Sequence, residues 1–291
     1  MRNLTNHLKS GMLLAAMTAL VLAAAVLIGG TNALPFAIIL AAVMNVGAYF
    51  FSHKLALASM RAQEVGPDHD LFRMVQELAP RANLPMPKVY ISPYAAPNAF
   101  ATGRNPKHAV VCATAGLLKM LSREEVAAVM AHELAHVKHR DMLIQTIAAT
   151  LGGAVSGLGY MFMFGGGDDE ESPLGALGGL LVLILGPLAA GLMQMALSRR
   201  REFAADTEAA AIMGDPRPLA SALQKIHHAA ERIPMDTNPA FNALLIAEPR
   251  NLRKTMARLF STHPPLEERL ENLLGRDAAL PPRRGRVAAG Y

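Results

Sequence analysis

From Ser10 to Ser52 the chain carries no charged side chain. Charged residues dominate the surface of a water-soluble domain, so a stretch of this length constrains the fold more than any other segment. Gly29-Gly30-Thr31-Asn32 splits it into apolar runs over residues 12–28 and 34–51. Each run approaches the ~20 residues that a helix needs to cross a bilayer. The spacing therefore predicts a helical hairpin. Arg2 and Lys9 precede the first run as they would precede a signal peptide. The second run follows at once and the cleavage signal is weak, so removal is not expected.

A second uncharged pair spans residues 143–164 and 174–197, separated by Asp168-Asp169-Glu170-Glu171. Its glycines, Gln145 and Thr146 make the first member the weaker span, with a re-entrant hairpin or a buried helical pair as the alternative. Composition agrees with membrane helices: hydrophobic residues make up 52% of the chain, aromatic residues only 5%, and Trp is absent. Mean hydropathy is +0.25. Such a bias towards Ala, Leu, Val, Gly and Met suits apolar spans better than a large aqueous core.

Lys and Arg set the orientation of such spans. Arg2 and Lys9 precede the first run, Lys54 and Arg61 follow the second, Lys138 and Arg140 precede the third, and Arg199 to Arg201 follow the fourth. The loops between carry none. Both termini and the segments 55–141 and 199–275 are thus expected in the cytoplasm. The single Cys112 excludes a disulfide framework and fits a reducing compartment; it reads as a strand residue rather than a nucleophile. The net charge of +5 owes much to Arg276, Arg283, Arg284 and Arg286. Their Pro- and Gly-rich tail, residues 276–291, is expected to be disordered, either merely solubilising or touching anionic lipid. No interleaving of basic and aromatic residues suggests nucleic acid, and no Gly-rich phosphate loop follows a strand.

Chemistry enters at His132-Glu133-Leu134-Ala135-His136. On a helix, positions i and i+4 share a face, so both imidazoles can reach one metal ion. Glu133 beside them can take a proton from a metal-activated water. Ser122-Arg123-Glu124-Glu125 reads as a capping box that starts this helix near Arg123. Val126, Val129, Met130 and Leu134 then form its buried face. Two histidines hold zinc weakly, and a hydrolytic site wants a third protein ligand. Glu202, in Arg199-Arg200-Arg201-Glu202-Phe203-Ala204-Ala205-Asp206, is the best candidate. Asp206 lies at i+4 from it, placed to accept a hydrogen bond from a ligand histidine and fix its tautomer. A core helix with two satisfied histidines, or a solvated helix of Arg–Glu pairs, is the bland alternative.

Around this motif the chain alternates helices and short strands. Residues 68–81 read as an amphipathic helix through Leu71, Val75 and Leu78, broken before Pro85 and Pro87. Residues 88–92 and 108–114 read as strands. Between them, Asn98-Ala99-Phe100-Ala101-Thr102-Gly103 could form an edge strand. An extended substrate can add to such an edge through main-chain hydrogen bonds, which makes Asn98, Ala99 and Phe100 candidate substrate-binding residues; a plain hairpin arm is the alternative. Residues 218–232 form a further amphipathic helix, on which His227 and His228 are surface or packing residues. Ser261-Thr262-His263-Pro264-Pro265 precedes a last helix with Leu266, Leu270 and Leu273 on one face. Two prolines hold His263 rigidly, as suits a group aimed at a reacting oxygen. A structural histidine is the alternative there.

These segments, taken in order, resemble the HtpX family of bacterial membrane zinc proteases, relatives of the CAAX prenyl proteases. The matching stretches are Pro85-Met86-Pro87-Lys88-Val89, Asn98 to Gly103, His132 to His136, Arg140-Asp141, Arg200 to Asp206 and Ser261 to Pro265. The resemblance implies a multi-pass helical membrane protein with a cytoplasmic α+β, zincin-like protease domain that is mostly helical and carries a small sheet. It implies one zinc per chain on His132, His136 and Glu202, with Glu133 as catalytic base and His263 stabilising the transition state. It also implies a stress-response endopeptidase of the cytoplasmic membrane, engaged in quality control of misfolded or damaged membrane proteins. The segmentation is then a transmembrane hairpin (1–54), a first protease part (55–141), a second hairpin (142–198), a second protease part (199–275) and the tail. Two readings compete with this one: an intramembrane protease and a membrane scaffold or transporter with a vestigial site. Arg123, Glu124, Glu125, Lys138 and Arg140 flank the motif and put it in water, against the first. An intact pair of motifs argues against the second.

Overall fold

The computed structural model describes residues 11–142, apart from 13, 16, 20, 24 and 27–29, together with residues 199–230, 232–233 and 264–275. The expected second hairpin, His263 and the tail lie outside the described residues. The described residues between 11 and 26 are helical. After a short 3-10 turn, α1 (Leu34–Ser59) follows. With that turn it forms a 29-residue helix, long and apolar enough to cross a membrane. Its burial is inverted relative to a water-soluble helix. Ala37, Ala41, Ala48, Ser52 and Ala56 are buried, whereas Phe36, Ile39, Val43, Phe50, Phe51 and Leu55 are exposed. In water each large side chain left out forfeits roughly 1.5–3 kcal/mol; against lipid there is no such loss. A small-residue stripe is what lets membrane helices approach closely. Asn45 Nδ2 donates to Thr18 Oγ1 at 2.8 Å, linking α1 to the first helical run.

The far end of α1 runs into the folded domain. Ala56, Leu57 and Met60 pack against Phe100, Val110 and Cys112 of a four-stranded mixed sheet. Its strands are β1 (Gln63–Val65), β2 (Lys88–Ser92), β3 (Ala99–Thr102) and β4 (Val110–Thr114), in the order β1-β2-β4-β3. β2 and β4 run parallel; β1 and β3 are antiparallel edges. Period-two alternation sends Phe100 and Cys112 towards α1 and Ala99, Ala101, Val111 and Ala113 towards the main core. The strand expected over 108–114 starts only at Val110, because Asn105 caps a 3-10 turn over Pro106–His108.

On the main-core face lie α2 (Asp70–Arg81), α3 (Ala115–Met120) and α4 (Arg123–His139), then α5 (Arg199–Met213), α6 (Arg217–Ala230) and α7 (Leu266–Leu274). α2 begins two residues later than its periodicity suggests, because His69 caps it. It ends at Arg81, and Asn83, with a φ of 58°, turns the chain away before Pro85 and Pro87. β1 and α3 carry no signal in the sequence: one is three residues, two of them polar, and the other is six residues, too short to show a period. α4 starts with the expected capping box, Ser122 Oγ accepting from Glu125 N and Glu125 Oε2 from Ser122 N. Glu125 also takes Lys225 at 2.6 Å and the Ser221 hydroxyl, so the same carboxylate ties α4 to α6. One expectation is corrected: α4 does not have one buried face. It is buried almost all round from Glu125 to Val137, because α2, β3, α5 and α6 all pack against it.

Candidate metal centre

Two helices build the site. α4 delivers His132 and His136 one turn apart, and α5, its most extensive helical neighbour, delivers Glu202 across the contact. All three side chains are buried, and each offers a ligand atom within 4.8 Å of the others. The Nε2 atoms of His132 and His136 are 3.2 Å apart. Glu202 Oε2 is 3.7 Å from His132 Nε2, and its Oε1 is 3.4 Å from His136 Nε2. A tetrahedron with bonds of about 2.0–2.1 Å, as zinc forms with N and O ligands, has edges of about 3.3–3.4 Å. The His132–His136 separation is close to that figure, the two histidines meet different oxygens of Glu202, and two imidazoles with one carboxylate is a known catalytic zinc set.

The supporting groups fit as well. His132 Nδ1 lies 3.0 Å from Asp206 Oδ1, and His136 Nδ1 lies 3.5 Å from Asp141 Oδ2. Carboxylates at both Nδ1 atoms favour the tautomer that presents Nε2 to a cation. Each aspartate is in turn met by a buried arginine. Arg269 of α7 donates to Asp206 from Nε at 2.9 Å and from Nη2 at 2.6 Å; Arg201 Nη1 stands 3.5 Å from Asp141 Oδ1. Arg269 Nη1 also comes within 3.8 Å of Glu202.

These charges set the titration of the site. Burial drives the Asp206 carboxyl up, but Arg269 and His132 together hold it below the usual range. Asp141 follows the same pattern through His136 and Arg201. Burial pushes His132 down despite Asp206, so its ring is neutral. Burial also opposes charge on His136, yet Glu202, Asp141 and Glu133 outweigh it and push it up to about 9. The field that favours a proton there favours a divalent cation equally.

Glu133 is buried beside the cluster without belonging to it. β3 is the sheet edge that packs against α4, with all four residues buried. Asn98 precedes it: Ala99 N donates to Asn98 Oδ1, and Asn98 N donates to Thr114 Oγ1. Cys112 is buried in β4, and desolvation raises its thiol far above the ordinary range, which suits a packing role. His227 and His228 are exposed. Sequence reasoning did not assign Asp141, Arg201 or Arg269. A signal existed for two of them. An acid just past a helix C-terminus opposes the helix dipole, and Arg269 falls on the Leu266–Leu270–Leu273 stripe, where a charge must be buried and paired.

The comparisons agree with this chemistry. The profile of peptidase family M48 matches residues 66–277. The chain is 52% identical over 278 residues to a protease HtpX homolog of Desulfatibacillum aliphaticivorans, covering 93% of this chain and 89% of the relative. It is 50% identical over 275 residues to one of Ralstonia nicotianae, covering 92% and 96%. Among solved structures it resembles the Ste24p of S. mikatae, with a TM-score of 0.52 at 19% identity, over 94% of this chain and 66% of that one. That last likeness concerns the fold alone: mostly helical, with a small mixed sheet.

Proposed function

The chain belongs to peptidase family M48 and is a metalloendopeptidase; from that premise we propose a zinc-dependent, multi-pass protease of the inner membrane, with its site facing the cytoplasm. Its substrates are proposed to be misfolded or damaged membrane proteins. The observation that carries the reading is the convergence of His132, His136 and Glu202, buried and with ligand atoms within 4.8 Å of one another, in a domain continuous with a membrane-length helix. The proposed division is a hairpin over 1–54, protease parts over 55–141 and 199–275, a second hairpin over 142–198, and the tail. The Lys and Arg asymmetry supports the cytoplasmic orientation.

In this reading one zinc is held by His132, His136 and Glu202. Bound there, it supplies Lewis acidity that polarises the scissile carbonyl and acidifies a water. Glu133 takes the water proton and passes it to the leaving amine. Asp206 and Asp141 hold the ligand histidines in one tautomer and orientation. Asn98 and, in the edge strand it precedes, Ala99 and Phe100 line up an extended substrate, and His263 stabilises the developing oxyanion. A buried site beside a low-dielectric core strengthens each of these charges.

Detergent-purified protein refilled with zinc should cleave an unfolded substrate such as casein, and a chelator should stop it. Glu202→Ala should lose both metal and hydrolysis; full zinc content in that variant would remove Glu202 from the site. For topology, single cysteines in a Cys112→Ser background should be labelled by an impermeant reagent at position 32 and protected at positions 68 and 215 in intact cells. The reverse pattern would overturn the cytoplasmic reading.

A further inference from the structure

We propose that the turn between β3 and β4, residues 103–108, is a docking surface for the anionic headgroups of the bilayer that α1 crosses. The inference rests on the membrane-spanning reading of α1. Lys54 stands about 30 Å along α1 from Leu34, the thickness of a hydrocarbon core. Phe50 and Phe51, just before it, are exposed at the depth where lipid tails give way to headgroups. At that level the folded domain returns to the helix. The Arg104 guanidinium lies over the Phe50 ring, 5.2 Å from its centroid, and the Lys54 ammonium lies 5.3 Å from the centroid of Phe51.

The turn is built to hold Arg104 there. Arg104 Nη2 lies 2.8 Å from His108 Nε2, and His108 Nδ1 lies 2.8 Å from Asn105 Oδ1. Arginine can only donate. His108 Nε2 therefore accepts, and its Nδ1–H donates to Asn105. Gly103 closes the turn at φ +129°, with the His108 carbonyl occupying the space where a Cβ would stand. Lys107 projects into solvent beside it.

Counter-charge is what the patch lacks. Three exposed cations elsewhere meet acids, Lys88 with Glu64, Arg73 with Asp70 and Arg217 with Asp215; what sets this patch apart is the pair of exposed rings its cations cover. Lys54, Arg104 and Lys107 have no carboxylate partner among the described residues. Unanswered cations flanked by aromatic rings at interfacial depth match an anionic lipid surface. Because the turn continues β3, its docking fixes the height of the edge strand, and of α4 behind it, above the bilayer.

The test uses the full chain in lipid nanodiscs, neutral phosphatidylcholine against phosphatidylcholine with phosphatidylglycerol, read by amide hydrogen exchange. The amides of Arg104, Asn105, Lys107 and His108 should exchange more slowly in the anionic discs. High salt should abolish the difference. So should Arg104→Gln with Lys107→Gln, while casein hydrolysis in detergent is retained. Each cation near an anionic surface is worth about five-fold, so the double variant sets the scale. Equal exchange in both discs would overturn the docking while leaving α1 as a span. Alkaline extraction of the protein from vesicles would instead overturn the spanning reading, and the proposal with it.

Discussion

Arg269→Met is the sharpest perturbation the structure offers, because the residue touches neither ligand histidine yet the site depends on it. Its side chain is 3% exposed, with two charge-assisted hydrogen bonds to Asp206 and a third approach to Glu202. Methionine keeps much of the volume and leaves two buried carboxylates without that cation. Breaking one side of a buried pair costs about 3–5 kcal/mol. At roughly 2–4 °C per kcal/mol for a domain of 150–250 residues, melting should fall by roughly 6–20 °C.

A second consequence is chemical. Arg269 is the main group holding Asp206 down against its burial. Without it the carboxyl moves up, and a protonated Asp206 no longer offers His132 a negative charge. Loss of such a supporting contact costs roughly 10–100-fold in metal affinity. Thermal unfolding in detergent and zinc competition against a chromogenic chelator measure the two effects. Adding Asp206→Asn removes the orphaned charge and should recover part of the stability but none of the zinc affinity. If Arg269→Met melts within the ~0.5 kcal/mol typical of a surface change and keeps its zinc, the argument that the arginine underwrites the site is wrong.

Glu133→Gln should keep its metal and fold, since Glu133 stands outside the ligand set, and should lose at least ~10²-fold in hydrolysis; near-normal turnover of casein would sink the mechanism. Loading zinc should expel about one proton near neutral pH, because His136 titrates near 9 in the metal-free site while His132 is already neutral. A raised base stabilises the metal-free fold fully below pH 6.5 and loses that contribution as pH climbs through about 9. Metal-free protein should therefore melt lower across that window and zinc-loaded protein should not. Calorimetry in buffers of different ionisation enthalpy counts the proton, and a count of zero would refute the assignment.

Much of the site was legible because helical spacing is a short-range code. His132 and His136 had to share a face once Ser122 and Glu125 had fixed the helix start, and Glu202 and Asp206 repeat the same interval on α5. The edge strand was legible from its position between two Val-rich strands. What spacing could not reveal was which distant segment closes the network. Arg269 is 63 residues from Asp206, and only the docking of α7 brings them together. Asp141 follows its histidine by five residues, a relation that no regular helix makes. It depends on Arg140 turning into the left-handed region at φ 58°. The burial of α4 all round was likewise hidden, since periodicity counts apolar residues and this helix buries histidines and glutamates as well.

Those two hidden links give the site its logic. His132 is backed by Asp206 and then Arg269; His136 is backed by Asp141 and then Arg201. The chains run through α4, α5 and α7, so ligand orientation and tertiary docking are the same set of contacts. A cation that binds only the assembled arrangement adds stability to it by mass action, about 4 kcal/mol at a thousand times its dissociation constant. The carboxylates that attract the metal are also those that would repel one another without it. The two arginines reduce that repulsion without joining His132, His136 and Glu202 in the cluster. A buried hydrolytic centre made of so many acids needs such internal counter-charge to fold before metal arrives.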